Sequence, residues 1–587
     1  FATGEGDAAV LGAFTGTVDI ASGTLRLGPD DGVGRPTDFV ADKVIVRNGA
    51  TLETHFGHGG NDNPNDPRAF ATKLDLMAGS TLTNNDGNIN LNGAIRFNIT
   101  NPSAETPSYN ADGEVSLRQY WNKNIELNGL LEGDGTVKLY TPVVGGHGLY
   151  GINSENNTFA GIFELVDSTS SGQSLALHLA KETSAQYADI KLSTVNNTSY
   201  LRLNSNATIN GLYGAVSDKN AVEARGNAYT LTVSEGDFGG KLQDATGTLA
   251  LTKKGTGTLT LRGANTYTGA TTVSAGTLEL TGAVSMNAAS AISLANDTTL
   301  LLNATNETAM MLGNSISGTG TIHKKGGHET VLKGTVNVET INVKDGANQA
   351  TNAGTLELTG GSVTADTLYA AYGQVNVGAE SDGNTFMVVD KVELGDSATG
   401  DATIGLAVRQ GSTLSVTGSS NGTGGNEGHK NASFLVAEWN AAGTLDVQGN
   451  LFVQNAHVSL GDDASTINIS GGTLAAKGIR EVRDSDKGIG QFTLNLSDSG
   501  KLILGESGLD VNNSYRSAEL NLGAGTVGMS ADTTTIAEDV KLTSAEGTTF
   551  DTTKYAFETN AENVATDIER GTEAGEMTIS GNISSAE

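Results

Sequence analysis

LALTKKGTGTLTLRGANTYTGATTVSAGTLEL, running from Leu249 to Leu280, carries a strand pattern that recurs along the chain. GTL or a close variant opens at Gly23, Gly49, Gly79, Gly257, Gly276, Gly354 and Gly443, among others, and a second aliphatic follows two residues on. Leu259 and Leu261, Leu278 and Leu280, Leu356 and Leu358, and Leu445 and Val447 are such pairs. Alternation with period two places them on one strand face and Thr, Glu, Asp and Ser on the other. Hairpins would show Asn-Gly or Asp-Gly turns between paired strands; none lies inside this window. The spacings from Leu259 to Leu278 and from Gly334 to Gly354 are nearly equal, and each is close to the roughly twenty residues that, as three short strands and three turns, make one rung of a parallel β-helix. The expectation is an all-β solenoid in which each buried Leu or Val contributes about 1.5 to 3 kcal/mol and no rung is stable alone.

Composition agrees. Gly accounts for 78 of 587 residues, as tight corners in every rung would require. Cys is absent, which leaves a reducing compartment or a surface protein that relies on its long core. The formal charge of −31, from 66 acidic against 35 basic residues, argues against nucleic acid and anionic membranes as partners. No apolar run is long enough to predict a membrane helix, and the start lacks the apolar core of a secretion signal. Beginning at Phe1 without Met, the chain reads as a processed or trimmed product.

All seven prolines fall at or before Pro142. Proline cannot donate to a strand ladder, so protruding loops are expected at Arg26 to Ala41, His55 to Phe70 and Ile99 to Tyr120. Residues 1–142 thus form a β-helix start with proline-bearing loops, 143–245 irregular rungs, 246–558 the regular repeat, and 559–587 an acidic tail that is frayed or severed from what followed. Within the irregular part, LALHLAKETSAQYADIKL, from Leu175 to Leu192, admits a short helix with Leu175, Leu179 and Tyr187 on one side.

GKLQDATGTLALTKKGTGTLTLRGANTYTGATTVSAGTLEL, from Gly240 to Leu280, resembles the passenger-associated strand repeat of bacterial autotransporters. A degenerate copy precedes it: GDGTVKL from Gly133 to Leu139, then NTFAG from Asn157 to Gly161, the counterpart of NTYTG from Asn265 to Gly269. The resemblance implies a right-handed parallel β-helix exported across the outer membrane and displayed outside the cell. It implies no single activity, since such passengers include adhesins, self-associating factors, and proteases and esterases whose chemistry sits in an added domain. The alternating strands of a membrane barrel, with their aromatic girdles, are missing here. The chain is therefore expected to be a passenger fragment that does not itself insert into a membrane, its missing C-terminal part an outer-membrane barrel.

Enzyme motifs fare poorly. GDSATG, from Gly395 to Gly400, is similar to the nucleophile context of serine-protease autotransporters, but Ala398 stands where that motif has glycine. Ser397 also needs a base His held by a carboxylate, and His328 and His429, nearest in sequence, sit in no recognisable context. GDD at Gly461 to Asp463 and GHG at Gly146 to Gly148 resemble elements of β-helical pectin hydrolases, whose carboxylates must converge. His147 and Asp462 are so far apart in the chain that rung spacing separates them by roughly 75 Å along the axis. No catalytic residue is assigned. Asp30, Asp31, His55, His58, Asp62 and Asp66 lack the spacing of a calcium loop and read as solvated loop charge, so no metal or cofactor is expected.

The residues suited to ligand contact are the rare large aromatics Tyr120, Trp121 and Trp439, since an exposed ring stacks on sugars or anchors a protein interface. Asn265 and Tyr267 read instead as corner residues of the repeat. The function expected is a non-catalytic adhesin that binds host glycan or protein, or another copy of itself. The alternative is an exported β-helical polysaccharide hydrolase or lyase with a shallow groove.

Overall fold

Seven leucines stack in one column: Leu25, Leu52, Leu82, Leu117, Leu139, Leu165 and Leu192 are register partners in successive parallel strands. The computed structural model describes every residue outside 1–15, 28–40, 56–68, 105, 122, 346–351, 381–383, 396–401, 421–431, 439–440, 462–463, 482–490, 512–516, 538–539, 581–582 and 586–587. It is a β-solenoid of about 19 turns with parallel strands and no helix among the described residues. Packing divides it into two units, Phe1–Leu278 with Val284–Ser290, and Glu279–Ala283 with Ala291–Glu587.

In the first unit, further columns line the other walls. Ile125, Tyr150, Leu177, Leu201, Val222 and Leu242 form one, and Val44, Leu74, Ile95 and Leu131 another. In the second unit Leu356, Val375, Leu406, Leu445, Ile467, Leu494, Leu520 and Leu542 repeat the pattern. All are buried, and the residues between them face out. Rung length varies more than the sequence reading allows. The turn from Val222 to its partner Leu242 is short, whereas the turn from Leu82 to its partner Leu117 is far longer. Most of the difference is an excursion between strands Ile95–Phe97 and Glu114–Gln119, pinned by an antiparallel bridge from Ile99 to Tyr109.

Two expectations are corrected. The segment from Leu175 to Leu192 is not helical; it lies in strands Ser174–Leu179 and Ala185–Leu192. Leu175, Leu177 and Leu179 are all buried, a period of two that a helix cannot satisfy, and Tyr187 faces outward. Nor is the described part of the acidic tail frayed. Strands Thr549–Thr559 and Ala565–Ala574 form an antiparallel hairpin. Its Tyr555, Phe557, Ala565 and Ile568 cover an outward apolar column of Phe452, Ala475 and Ile503. A few apolar side chains suffice because the column beneath is already continuous.

The corners hold their own polar devices. Lys253 is fully buried, and its Nζ donates to the carbonyl oxygens of Lys254 (2.8 Å), Gly255 (2.7 Å) and Ala275 (3.0 Å). In the second unit Lys324 donates in the same way to Lys325, Gly326 and Ala353. Gly276 adopts a φ of 67° beside the first of these, and a Cβ there would meet Gly255 O at 2.5 Å and Lys253 Nζ at 2.9 Å. Only glycine fits that turn without strain.

Burial pulls both ammonium groups down from 10.5 to about 8, against the smaller upward pull of Glu235 on Lys253 and of Asp345 on Lys324. Between those values the unfolded chain binds more protons than the folded one, so raising the pH through this window favours the folded state. Denaturant unfolding at pH 7 and pH 10 should therefore show a gain for the native protein that the Lys253→Met, Lys324→Met double variant lacks, at most about 1.4 kcal/mol per lysine per pH unit. An equal pH response in both proteins would refute the assignment.

Candidate functional site

The outward face of the second unit carries two register-matched polar columns. Thr444, Thr466 and Thr493 are successive partners, and two residues along each strand so are Asp446, Asn468, Asn495 and Asn521. The amides chain together: Asn468 Nδ2 donates to Asp446 Oδ1 (2.8 Å), Asn495 Nδ2 to Asn468 Oδ1 (2.8 Å) and Asn521 Nδ2 to Asn495 Oδ1 (3.0 Å). One donor proton of each Asn amide is spent within the ladder and the other is left for a partner. The sequence signal is plain in hindsight: GTLDV, STINI, FTLNL and AELNL put Thr or Glu and Asp or Asn around an inward aliphatic. A shorter ladder of Asn92, Asn128 and Asn153 occurs in the first unit.

On the same sheet, earlier in the chain, an open groove of about 800 Å³ lies over strands Met310–Leu312, Thr330–Leu332, Thr355–Leu358 and Gly373–Val377. Its central column runs Met311, Val331, Glu357, Asn376. Glu329, Lys333, Gln374, Glu380 and Arg409 flank it. Burial, and then the neighbouring Glu329 carboxylate, raise the Glu357 pKa, while Arg409 and Lys333 oppose them. None of these residues was singled out from sequence, because each is an ordinary outward residue of a strand or turn until the register brings it beside the others.

Tyr120 and Trp121 stand at a corner after strand Glu114–Gln119, where Tyr120 N donates to Asn84 O and Val144 N donates to Tyr120 O. They remain 44% and 38% exposed and meet edge to face at 5.7 Å. The repeat residues behave differently. Tyr267 is fully buried, its hydroxyl 2.6 Å from Thr271 Oγ1, and Asn265 accepts from Leu242 N and donates to Gly263 O. Asn157 accepts likewise from Leu131 N, and Phe159 fills the place of Tyr267. The two copies are thus the same corner built twice.

A family described as the passenger-associated-transport-repeat matches residues 251–280. Repeat and solenoid together fit an autotransporter passenger domain. That repeat family implies secretion to the cell surface or the extracellular space. No curated protein and no solved structure matches the chain.

Several of the residues singled out from sequence lie outside the described ones: Trp439, Ser397, His429, Asp462, Asp463, and Asp30, Asp31, His58, Asp62 and Asp66 of the loop cluster. His55, the described member of that cluster, approaches Glu53 at 3.8 Å. His147 lies at the surface with its Nδ1 against Ser174 Oγ. Among the described residues no group of three or more His, Asp or Glu side chains is placed to hold a metal, and no helix is long and apolar enough to cross a membrane.

The exposed aromatic pair and the buried repeat tyrosine should separate cleanly in stability. Trp121→Ala is expected to cost about 1 kcal/mol or less, whereas Tyr267→Ala should cost about 3 to 5 kcal/mol. Urea unfolding of the two variants checks this, and comparable losses would make Trp121 part of the packed scaffold.

Proposed function

We propose that this passenger, exported through the outer membrane, is a non-catalytic adhesin that attaches to host glycan or protein, or to another copy of itself. The observation that carries the reading is the Thr and Asn double column, a repeated and largely neutral surface in a chain whose formal charge is −31. Like-charge repulsion opposes approach elsewhere, so contact is least costly along this face. Each amide and hydroxyl adds little, but rungs in register present them together, and many weak contacts then act as one. Tyr120 and Trp121 supply a second, aromatic contact point in the first unit.

The alternative, an exported polysaccharide hydrolase or lyase, has one observation in its favour. Glu329, Glu357 and Glu380 line a single groove, and paired carboxylates are what glycoside hydrolysis requires. Release of reducing sugar from polysaccharide would decide for it.

Particles coated with the passenger are expected to clump or to attach to host cells, to keep doing so in 0.5 M salt (about a 4 Å screening length) because three of the four ladder side chains are neutral amides, and to release no sugar. Asn468→Lys with Asn495→Lys should cut attachment about tenfold, the loss of roughly 1.4 kcal/mol. Sedimentation and attachment counts read both. Particles that neither clump nor attach would end the adhesive reading.

A further inference from the structure

We infer that the groove over Glu357 binds a stretch of neutral oligosaccharide. The inference rests on the adhesive reading and deepens it by naming a site and a ligand class. Its starting point is a contrast in how charges are used. On outward faces elsewhere, opposite charges pair from rung to rung: Lys191 with Glu164 at 2.8 Å, Arg202 with Glu223 at 2.7 Å, Lys541 with Glu519 at 3.3 Å. Within the groove, the side chains of Glu329, Lys333 and Glu357 have no ion pair or hydrogen bond among the described residues. Arg409 reaches Glu380 only at 3.6 Å, and its buried Nε has no acceptor. Glu329 and Lys333 stand exposed at the rim, but Glu357 is half-buried and the Arg409 Nε is buried, and polar groups left open in this way are costly unless something completes them.

The chemistry left open is that of a sugar. Glu329 and Glu357 accept and Lys333 and Arg409 donate; Gln374 Nε2 already donates to Asn376 Oδ1 (2.9 Å), which leaves the Gln374 Oε1 acceptor and the Asn376 Nδ2 donor, a mixed set that suits vicinal hydroxyls that donate and accept at once. The exposed Met311 stands beside them as an apolar footing for the C–H face of a pyranose ring, while Val331 is buried in the floor. Three carboxylates in an acidic chain disfavour sulfated or uronic glycans, while Lys333 and Arg409 would be left unmatched by a polycation. The groove is open along the sheet rather than closed, so it suits the interior of a chain more than a single terminal sugar. Gly405 extends the floor: a Cβ there would meet Gln374 Oε1 at 1.7 Å, so the glycine is what allows the Gln374 amide to lie flat on the sheet.

Calorimetric titration of the whole chain with cellotetraose, chitotetraose and lacto-N-tetraose, and with a heparin tetrasaccharide for contrast, tests the inference. At least one neutral probe should bind. Glu357→Gln and Gln374→Ala should each weaken it about tenfold, Lys191→Ala in the first unit should leave it unchanged, and all variants should melt with the native protein. Absence of binding by every neutral probe, binding that survives both groove variants, or a preference for heparin would overturn it. Attachment by native particles separates the failures: if they attach while no probe binds, the groove inference falls alone; if they neither attach nor clump, the adhesive reading falls first.

Discussion

Every turn of this protein depends on the turns beside it to bury its aliphatic columns. A strand such as Leu249–Lys253 sets two leucines inward, too few to hold a rung by themselves, and parallel neighbours in register convert them into continuous walls of Leu, Ile and Val. The same register fixes everything on the outer face. A slip of one residue would turn each column inside out, so the position of Asn495 over Asn468 is set by Leu494 over Ile467.

Corners are the other half of the problem, because backbone that leaves a sheet still needs partners. The chain meets this with buried side chains that end on main-chain groups. Lys253 and Lys324 each collect three carbonyls, Asn157 and Asn265 each take an N–H from the rung below, and Tyr150 donates to Leu117 O. These residues belong to motifs that look informative in sequence, KKG and NTYTG among them, yet their chemistry is spent inside the protein. They mark a scaffold and leave recognition to the outward residues.

On that outward side, polarity is cheap because no packing constrains it, and residues can be chosen for contact. The amide ladder and the groove both arise there, a few rungs apart on one sheet. The hairpin near the C-terminal end shows the opposite use of the same freedom: Phe452 and Ile503 are outward and apolar, and the chain's own Tyr555 and Ile568 cover them.

Period-two alternation, GTL spacing and glycine content made the parallel solenoid and its repeat legible, because the interior is a local rule applied many times. The corner roles of Asn265 and Tyr267 followed from the repeat as well. The helix admitted at Leu175 to Leu192 went astray because Leu175 and Leu179 satisfy both a helix and a strand, and Leu177 alone tells them apart. Rung length was underestimated since excursions lengthen a turn without altering its inward residues. The groove was invisible for a deeper reason: Val331, Glu357, Asn376 and Arg409 come from separate turns of the coil and become neighbours only through strand register. Sequence alone determined what each strand hides, since burial is a property of single residues in alternation; tertiary structure decided what the surface offers, since a site is a property of residues that only stacking brings together.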